Sequence, residues 1–225
     1  MIYPQDSKET AIQYTNFLKN KRIVVVGPAP HMVKSNFGEI IDSYDIVVRV
    51  NKGYKINKDM EVDLGRRIDV LYQTMLPQRG LGITMPIEES NNKMEWTCAS
   101  FPDEKHKPFI YDFIKFNNNR INLHIIDKKY WDKLRNKIGD PHAGTAAIFD
   151  LLRYDIKELY ITGITFYQVE GEKHSFYYDG YHNKKRWVKG TKHDCFKSFD
   201  YFIKILKKDK RIKCDFMIER LLKDV

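Results

Sequence analysis

The chain has 225 residues, a net charge of +9 and a hydrophobic content of 42%. Its 13% aromatic and 31% charged residues are typical of a folded globular protein, which excludes a disordered, collagen-like or coiled-coil chain. The excess charge is local, because residues 184–213 hold twelve basic and three acidic residues while the rest of the chain is neutral. We therefore expect one anionic ligand or surface, and not a protein that coats nucleic acid.

Short apolar strands alternate with helical patterns along the chain. The strands are predicted at 21–27, 45–50, 68–72, 121–126 and 158–161, and the clearest helices at 8–19, 108–116, 144–153 and 194–207. This alternation predicts a single α/β domain over 1–225, Rossmann-like, with a mainly parallel sheet flanked by helices. Residues 77–107, which contain three prolines and many polar residues, are predicted to be an irregular insertion or lid.

The cysteines and the apolar runs bear on the compartment. Cys98, Cys195 and Cys214 are odd in number and include no CxxC pair, which argues against a disulfide framework and against a zinc site. The N-terminus has no apolar core after a basic start, and no run reaches the ~18 apolar residues of a spanning helix. The prediction is a cytoplasmic protein without a signal peptide or a transmembrane helix.

Two candidate ligand-binding positions follow the first two strands. Gly27 ends the first strand, but the loop after it has two prolines and lacks the GxGxxG fingerprint, so an NAD site is disfavoured. Asn51 ends the second strand at the edge where open α/β sheets bind ligands, and its amide can meet a base or a ribose. The alternative for Asn51 is a turn with Gly53.

Two further candidates lie in the second half of the chain. Gly144 and Thr145 open a helix whose N–H groups can hold a phosphate, although small residues also begin many well-packed helices. His193 precedes a helix inside the basic segment, where it can act as a general base or simply be a cap or surface residue. The chain contains no D-x-D motif and the other histidines lack ligand spacing, so no metal site is predicted.

In their order along the chain these elements resemble those of the sialyltransferases. The bacterial lipooligosaccharide type is resembled at Gly27 and at 49–51, 140–144 and 157–168, and the animal type at 37–51, 63–67, 177–179 and 191–194. Each motif is modest, but together they extend over about residues 21–216. The fold that the resemblance implies is a sialyltransferase-like variant of the GT-A type.

The resemblance also implies an activity. It implies a metal-independent, inverting glycosyltransferase, without a cofactor, that moves sialic acid or a related acidic sugar from a CMP-linked donor to a hydroxyl of a glycan or glycolipid acceptor. His193 would be the catalytic base and Tyr167 would support the leaving phosphate. The donor-binding residues would be Gly27, Asn51, Gln73, Gly144, Thr145 and Tyr178.

The sequence departs from these families at several places, two of which lie among the candidate donor-binding elements. Pro28 stands where an asparagine usually follows the glycine, so that His31 is expected to substitute for it, and His142-Ala143 replace a Ser/Thr before the helix glycine. The departures leave open a non-catalytic binding protein on the same scaffold, which would recognise an anionic glycan or nucleic acid through the basic C-terminal segment. For the enzyme, nucleic acid is not an expected partner, whereas peripheral contact with an anionic membrane would suit that segment.

Overall fold

A seven-stranded sheet organises the structure, a computed structural model that describes residues 8–76, 94–117, 120–169 and 193–223. The strand order is β5-β4-β3-β2-β1-β6-β7, and each neighbouring pair is parallel. The strands are β1 Arg22–Val26, β2 Ile46–Val50, β3 Val70–Gln73, β4 Trp96–Ala99, β5 Asn122–Ile125, β6 Glu158–Thr162 and β7 Ile212–Cys214. The Rossmann-like α/β class predicted from the sequence is confirmed.

Six of the eight described helices lie between strands in the chain, as parallel connections require, while the first helix precedes β1 and the last follows β7. They are α1 Lys8–Leu18, α2 Gly38–Asp42, α3 Glu61–Leu64, α4 Lys107–Asn117, α5 Lys128–Ile138, α6 Ala143–Leu151, α7 Cys195–Leu206 and α8 Phe216–Lys223. Strand β1 shows why both faces of the sheet are covered. Ile23 and Val25 join the larger core, whereas Val24 and Val26 join a second core on the other face, with Met32. A continuous apolar run is therefore buried on both sides.

The five predicted strands and four predicted helices are present, with bounds that differ by two residues or fewer. The sequence patterns missed β4, which lies inside the stretch expected to be irregular over 77–107 and is buried at all four positions. A four-residue run of mixed character, Trp-Thr-Cys-Ala, carries little periodic signal, and pairing on both sides makes it a strand. Residues 77–93 of that stretch lie outside the described residues.

Helix α6 is fastened to the sheet by a buried carboxylate. Asp150, which is fully buried, accepts a hydrogen bond from the Tyr72 hydroxyl at 2.8 Å and lies 2.8 Å from His124 Nε2 and from Arg153 Nη1. Burial raises the pKa of Asp150, but His124, Arg153 and Tyr72 together outweigh burial and leave that pKa below its usual value. The opposite end of the same helix faces the carboxyl edge of the sheet, so this network fixes what α6 presents there.

Arg49 holds the end of β2 from within the sheet. Its side chain is fully buried, and its Nε and Nη2 donate to the carbonyls of Arg67 at 2.8 Å and Leu64 at 2.7 Å. These hydrogen bonds offset part of the cost of burying a guanidinium. The following residues, including Asn51, therefore leave the sheet from a fixed point.

Among the helices within the described ranges, none has both the length and the apolar character that a membrane span requires.

Candidate active site

The carboxyl ends of the parallel strands form one edge, and several predicted residues meet there. Gly27, Asn51 and Gly163 directly follow β1, β2 and β6, which are neighbours in the sheet. A Cβ added to Gly144 would lie 3.1 Å from Ile164 Cδ1 and 4.0 Å from Val50 Cγ1, so the start of α6 adjoins the ends of β2 and β6. This is the place where ligands bind in open α/β sheets.

Gly27 and Gly163 allow the two loops at this edge to touch. The Gly27 N–H donates to the Thr162 carbonyl at 2.8 Å, and a Cβ on Gly27 would lie 2.2 Å from the Gly163 oxygen. Gly163 has φ +69°, and a Cβ there would lie 2.5 Å from the Gly27 oxygen. The missing side chain of Gly27 thus makes room for backbone, and its predicted contact with the donor stays a prediction.

Asn51 has an unsatisfied acceptor at the same edge. Its φ is +49°, a left-handed conformation that asparagine tolerates better than most residues. Its Oδ1 is buried and has no hydrogen-bond partner among the residues that the structure describes. Because a buried acceptor without a partner costs free energy, a donor from a bound molecule would stabilise this position.

Gln73 is buried and turned towards the neighbouring strand. Its Nε2 donates to Thr97 Oγ1 at 2.8 Å. Its amide nitrogen is therefore engaged inside the sheet, and the predicted donor contact of Gln73 stays a prediction. Sequence reasoning missed two hydroxyls next to it, Thr74 Oγ1 and Ser100 Oγ, which follow β3 and β4 and are buried without a hydrogen-bond partner in the described part of the chain. Their signal was their position directly after a strand, but β4 itself was not predicted.

The first turn of helix α6 faces this edge of the sheet, and the side chain of its N-cap residue does not cap it. His142 stands at the N-cap with extended dihedrals, φ −68° and ψ 159°, and makes no side-chain capping bond. The first N–H groups of a helix have no partner within the helix, and they attract anions. Gly144 lets a ligand approach this turn, while Thr145 is 3% exposed and packs inward. The arrangement can hold a phosphate.

His193 is oriented by a backbone carbonyl. It forms an isolated antiparallel bridge with Gly139, and its Nδ1 lies 2.6 Å from the carbonyl oxygen of Asp140. Since a carbonyl oxygen only accepts, Nδ1 carries the proton in this contact. In the neutral ring Nε2 is then the nitrogen with the lone pair, which is the form that a general base needs.

Two aromatic side chains accompany His193. His142 stacks on it with ring centroids 4.1 Å apart and an interplanar angle of 19°, and Tyr167 lies 4.8 Å from His142 at 45°. Burial, and after it the neighbouring His193, lowers the pKa of His142 well below the usual range, so the His142 ring is neutral at neutral pH. The structure therefore brings His193 and Tyr167 into contact with one residue, His142, that the sequence marked only as a departure.

Tyr167 is held in place by the turn after β6. Phe166 and Tyr167 both have left-handed dihedrals, with φ +52° and +59°. Phe166 is buried and stacks on Phe202 of α7 with ring centroids 4.8 Å apart. That packing supports the strained turn and directs the next residue towards His142. Tyr178, also predicted to bind the donor, lies outside the described residues.

His31 belongs to a second polar cluster at the first loop. Its Nε2 lies 2.9 Å from Oδ2 of Asp215, a carboxylate that is 1% exposed. The same oxygen accepts from the Thr162 hydroxyl and the Gly163 N–H, each at 2.9 Å. The Nε2 of His31 is therefore engaged with Asp215, although the sequence suggested that His31 replaces an amide in donor binding. Sequence reasoning missed Asp215, whose signal was an aspartate directly before a helix, where a side chain can cap the first turn.

The chain resembles sialyltransferases in part of its sequence and in its fold. Residues 4–106, just under half of the chain, match the model of glycosyltransferase family 29 (sialyltransferase). A mammalian sialyltransferase, in complex with Gal-beta-1-3GalNAc-ortho-nitrophenol, is 15% identical, with a TM-score of 0.59 over 96% of this chain and 74% of that one. The sialyltransferase CstII from Campylobacter jejuni, in complex with cytidine-5'-monophosphate, is 16% identical, with a TM-score of 0.59 over 87% and 80%. No curated protein sequence matches the chain.

Fold and family pattern together give the class of the protein, which is a glycosyltransferase, as the resemblance predicted. Within this class the architecture is that of the sialyltransferases, and residues 4–106 carry the pattern of glycosyltransferase family 29. The matched residues include Gly27, Asn51 and Gln73. His142, Tyr167 and His193 lie beyond them, so their roles rest on the geometry described above.

Proposed function

We propose that this glycosyltransferase transfers sialic acid, or a related acidic sugar, from a CMP-linked donor to a hydroxyl of a glycan or glycolipid, with inversion and without a metal ion. The observation that carries the proposal is the orientation of His193. The Asp140 carbonyl selects the tautomer whose Nε2 can take a proton, and this ring lies beside the start of α6. A base and an anion-binding helix end at one edge are what a single displacement at a glycosyl phosphate needs.

The reaction divides into two charge changes. The acceptor hydroxyl loses its proton to His193 Nε2 while its oxygen forms a bond to the anomeric carbon of the donor sugar. The bond from that carbon to the phosphate oxygen breaks, and its electron pair leaves with CMP. The N–H groups at the start of α6 and the Tyr167 hydroxyl stabilise the negative charge that develops on the leaving phosphate. With no protein nucleophile in the step, the anomeric configuration inverts.

We assign donor binding to the carboxyl ends of β1 and β2 and to the start of α6. Asn51 Oδ1, which is buried and has no partner within the described ranges, would accept a hydrogen bond from the cytidine or its ribose. Gly144 leaves the first turn of α6 open to the phosphate. Gly27 and Thr145 would shape the buried side of the site, because the backbone at Gly27 and the Thr145 side chain are buried.

The test separates the base from donor binding. His193→Ala should lower kcat by about 10²- to 10⁴-fold, the usual contribution of a general base, and should leave the thermal shift produced by CMP intact. His106→Ala is the control, because His106 is likewise a histidine stacked on an aromatic ring, that of Phe101, at a centroid distance of 5.1 Å. Full turnover by His193→Ala would disprove the base assignment.

A second measurement tests the donor. Stabilisation of the protein against heat is compared for CMP, CDP, UMP and UDP, each with and without EDTA. We expect CMP to give the largest shift and EDTA to leave that shift unchanged. A preference for UDP, or loss of the CMP shift in EDTA, would contradict the donor and the metal-independent mechanism. Salt-sensitive RNA binding without any CMP effect would instead favour the non-catalytic alternative.

A further inference from the structure

His142 packs against both side chains to which the proposed mechanism gives a chemical role. Its ring is stacked on that of His193, with centroids 4.1 Å apart and planes 19° from parallel. The His142 ring also contacts the Tyr167 ring, and the two ring centroids are 4.8 Å apart. It also lies at the N-cap of α6, the helix end assigned to the leaving phosphate. One residue thus touches the base, the tyrosine and the anion-binding turn.

We propose that His142 is a positioning residue whose ring sets the orientation of the His193 ring and of Tyr167 for transfer. The proposal rests on the proposed function, because it assigns His142 a part in the same reaction. It goes beyond that function since His142 itself neither accepts the proton nor contacts the reacting atoms. Its effect is on geometry, which a reaction in a single displacement depends on strongly.

The contact between His193 and the Asp140 carbonyl does not by itself set the orientation of the His193 ring. The hydrogen bond from Nδ1 to the Asp140 oxygen holds one ring atom, but small rotations about the Cα–Cβ and Cβ–Cγ bonds can still tilt the ring around that contact. Such rotation would sweep Nε2 away from the acceptor hydroxyl. A parallel ring at 4.1 Å blocks it, because a turn of the imidazole would bring its edge into His142.

His142 has a further contact, with the start of α7. Its Nε2 lies 3.7 Å from Sγ of Cys195, a buried residue in the first turn of α7. Burial, and to a lesser extent Asp194, raises the pKa of the Cys195 thiol to about 11, so the thiol is protonated and can donate to Nε2. This weak contact ties the loop before α6 to the start of α7, where His193 also lies.

The surrounding charges allow His142 to stay neutral while His193 takes a proton. The carboxylates beside the stack are already paired, Asp140 with Arg135 and Asp194 with Lys197. Burial and His193 keep the pKa of His142 well below its usual range. A neutral ring adds no positive charge next to a base that becomes charged during the reaction, so it can support the base without opposing protonation.

Three substitutions test the proposal with kcat, KM for the donor and CMP binding as readouts. His142→Ala removes the ring, and His142→Gln keeps a polar side chain without a ring. Both should lower kcat by about 10- to 100-fold, the effect of a small misplacement of a reacting group, while KM and the CMP thermal shift change little. His142→Phe restores a flat ring and should recover most of kcat. His106→Ala, at a stacked histidine outside the site, should keep kcat within about twofold.

The outcomes also separate this proposal from the proposed function. Wild-type kcat in His142→Ala or His142→Gln would overturn the positioning role, and so would a folded, CMP-binding His142→Phe that is as slow as the alanine variant. If His142→Ala is fully active while His193→Ala is inactive, the positioning role fails and the proposed function stands. If His193→Ala is fully active, the base assignment of the proposed function fails.

Discussion

Gly27 and Gly163 face each other across the ends of β1 and β6, and the space between them is already filled by backbone. A methyl group on Gly27 would meet the carbonyl oxygen of Gly163 at 2.2 Å and Ile164 Cγ1 at 2.3 Å. A flexible side chain could move away from such a contact, but a peptide group in a buried loop cannot move without shifting the strand end. The loop next to Asn51 and α6 therefore depends on the absence of a side chain here.

Gly27→Ala should destabilise the protein by about 3 kcal/mol, the upper range for an over-packed core position. Gly144→Ala is the comparison, because its added Cβ would meet only the tip of the Ile164 side chain at 3.1 Å. That variant should lose about 1 kcal/mol or less. Urea unfolding followed by circular dichroism measures both, and equal losses in the two variants would contradict the packing argument.

At the scale of elements, β7 and α8 connect to the first loop through one carboxylate. Asp215 caps α8, since its Oδ1 accepts from the N–H groups of Met217 and Ile218 at 3.1 and 3.0 Å. Its Oδ2 binds His31 and the turn after β6. Although burial raises the pKa of Asp215, the hydrogen bonds from His31 and from the backbone N–H groups outweigh it, and that pKa is lower than usual.

Asp215→Asn should therefore lower stability in a pH-dependent way. At neutral pH the variant should lose about 3 kcal/mol, as when one member of a buried pair is removed. The unfolded carboxylate takes up a proton near pH 4, before the folded one does, so wild-type stability falls as the pH drops through that range. The difference between wild type and variant should shrink between pH 6 and pH 3 in urea titrations. A difference that does not change with pH would show that the charge of Asp215 does not stabilise the fold.

For the molecule as a whole, the structure divides the basic segment into two kinds of residue. Arg211 points inward, where its Nη1 donates to the Tyr154 carbonyl at 2.7 Å and its Nη2 to the Leu152 carbonyl at 3.0 Å, while Asp209 pairs with it. The described lysines of the segment are exposed: Lys197, Lys204, Lys207, Lys208, Lys210 and Lys213. Arg211 thus links the start of β7 to the end of α6, whereas the described lysines face solvent, where contact with an anionic acceptor or membrane stays a prediction.

This division predicts opposite results for two charge-removing substitutions three residues apart. Arg211→Gln should cost about 2 kcal/mol of stability, since it removes charged donors from two carbonyls. Lys208→Gln should change stability by no more than about 0.5 kcal/mol, as is usual for an exposed residue. Thermal unfolding at matched pH and salt compares the two. Equal destabilisation would mean that the lysine also has a structural partner.

The sequence was informative wherever a property is local. Apolar runs such as 22–26 identify buried strands because each residue needs burial on one face or the other, and Gly27 is found where a strand has to end. Motif order identified the sialyltransferase type, which the fold and the match of residues 4–106 confirm. The sequence did not reveal β4 or β7, because Trp-Thr-Cys-Ala and Ile-Lys-Cys show neither a continuous apolar run nor a clear alternation, so that their neighbours in the sheet define them more than their own pattern does.

The sequence by itself determined the α/β class, the order of most elements, the position of the basic segment and the candidate residues at the strand ends. Only the tertiary structure decided how the second half of the chain completes the site. His142 and His193 are 51 residues apart, and no local pattern records that their rings stack, that Asp140 selects a tautomer or that Asp215 engages His31. Those contacts arise because α7 returns to the loop before α6 and β7 joins the sheet beside β6. Long-range packing of this kind depends on the whole sheet, and the site is built from it.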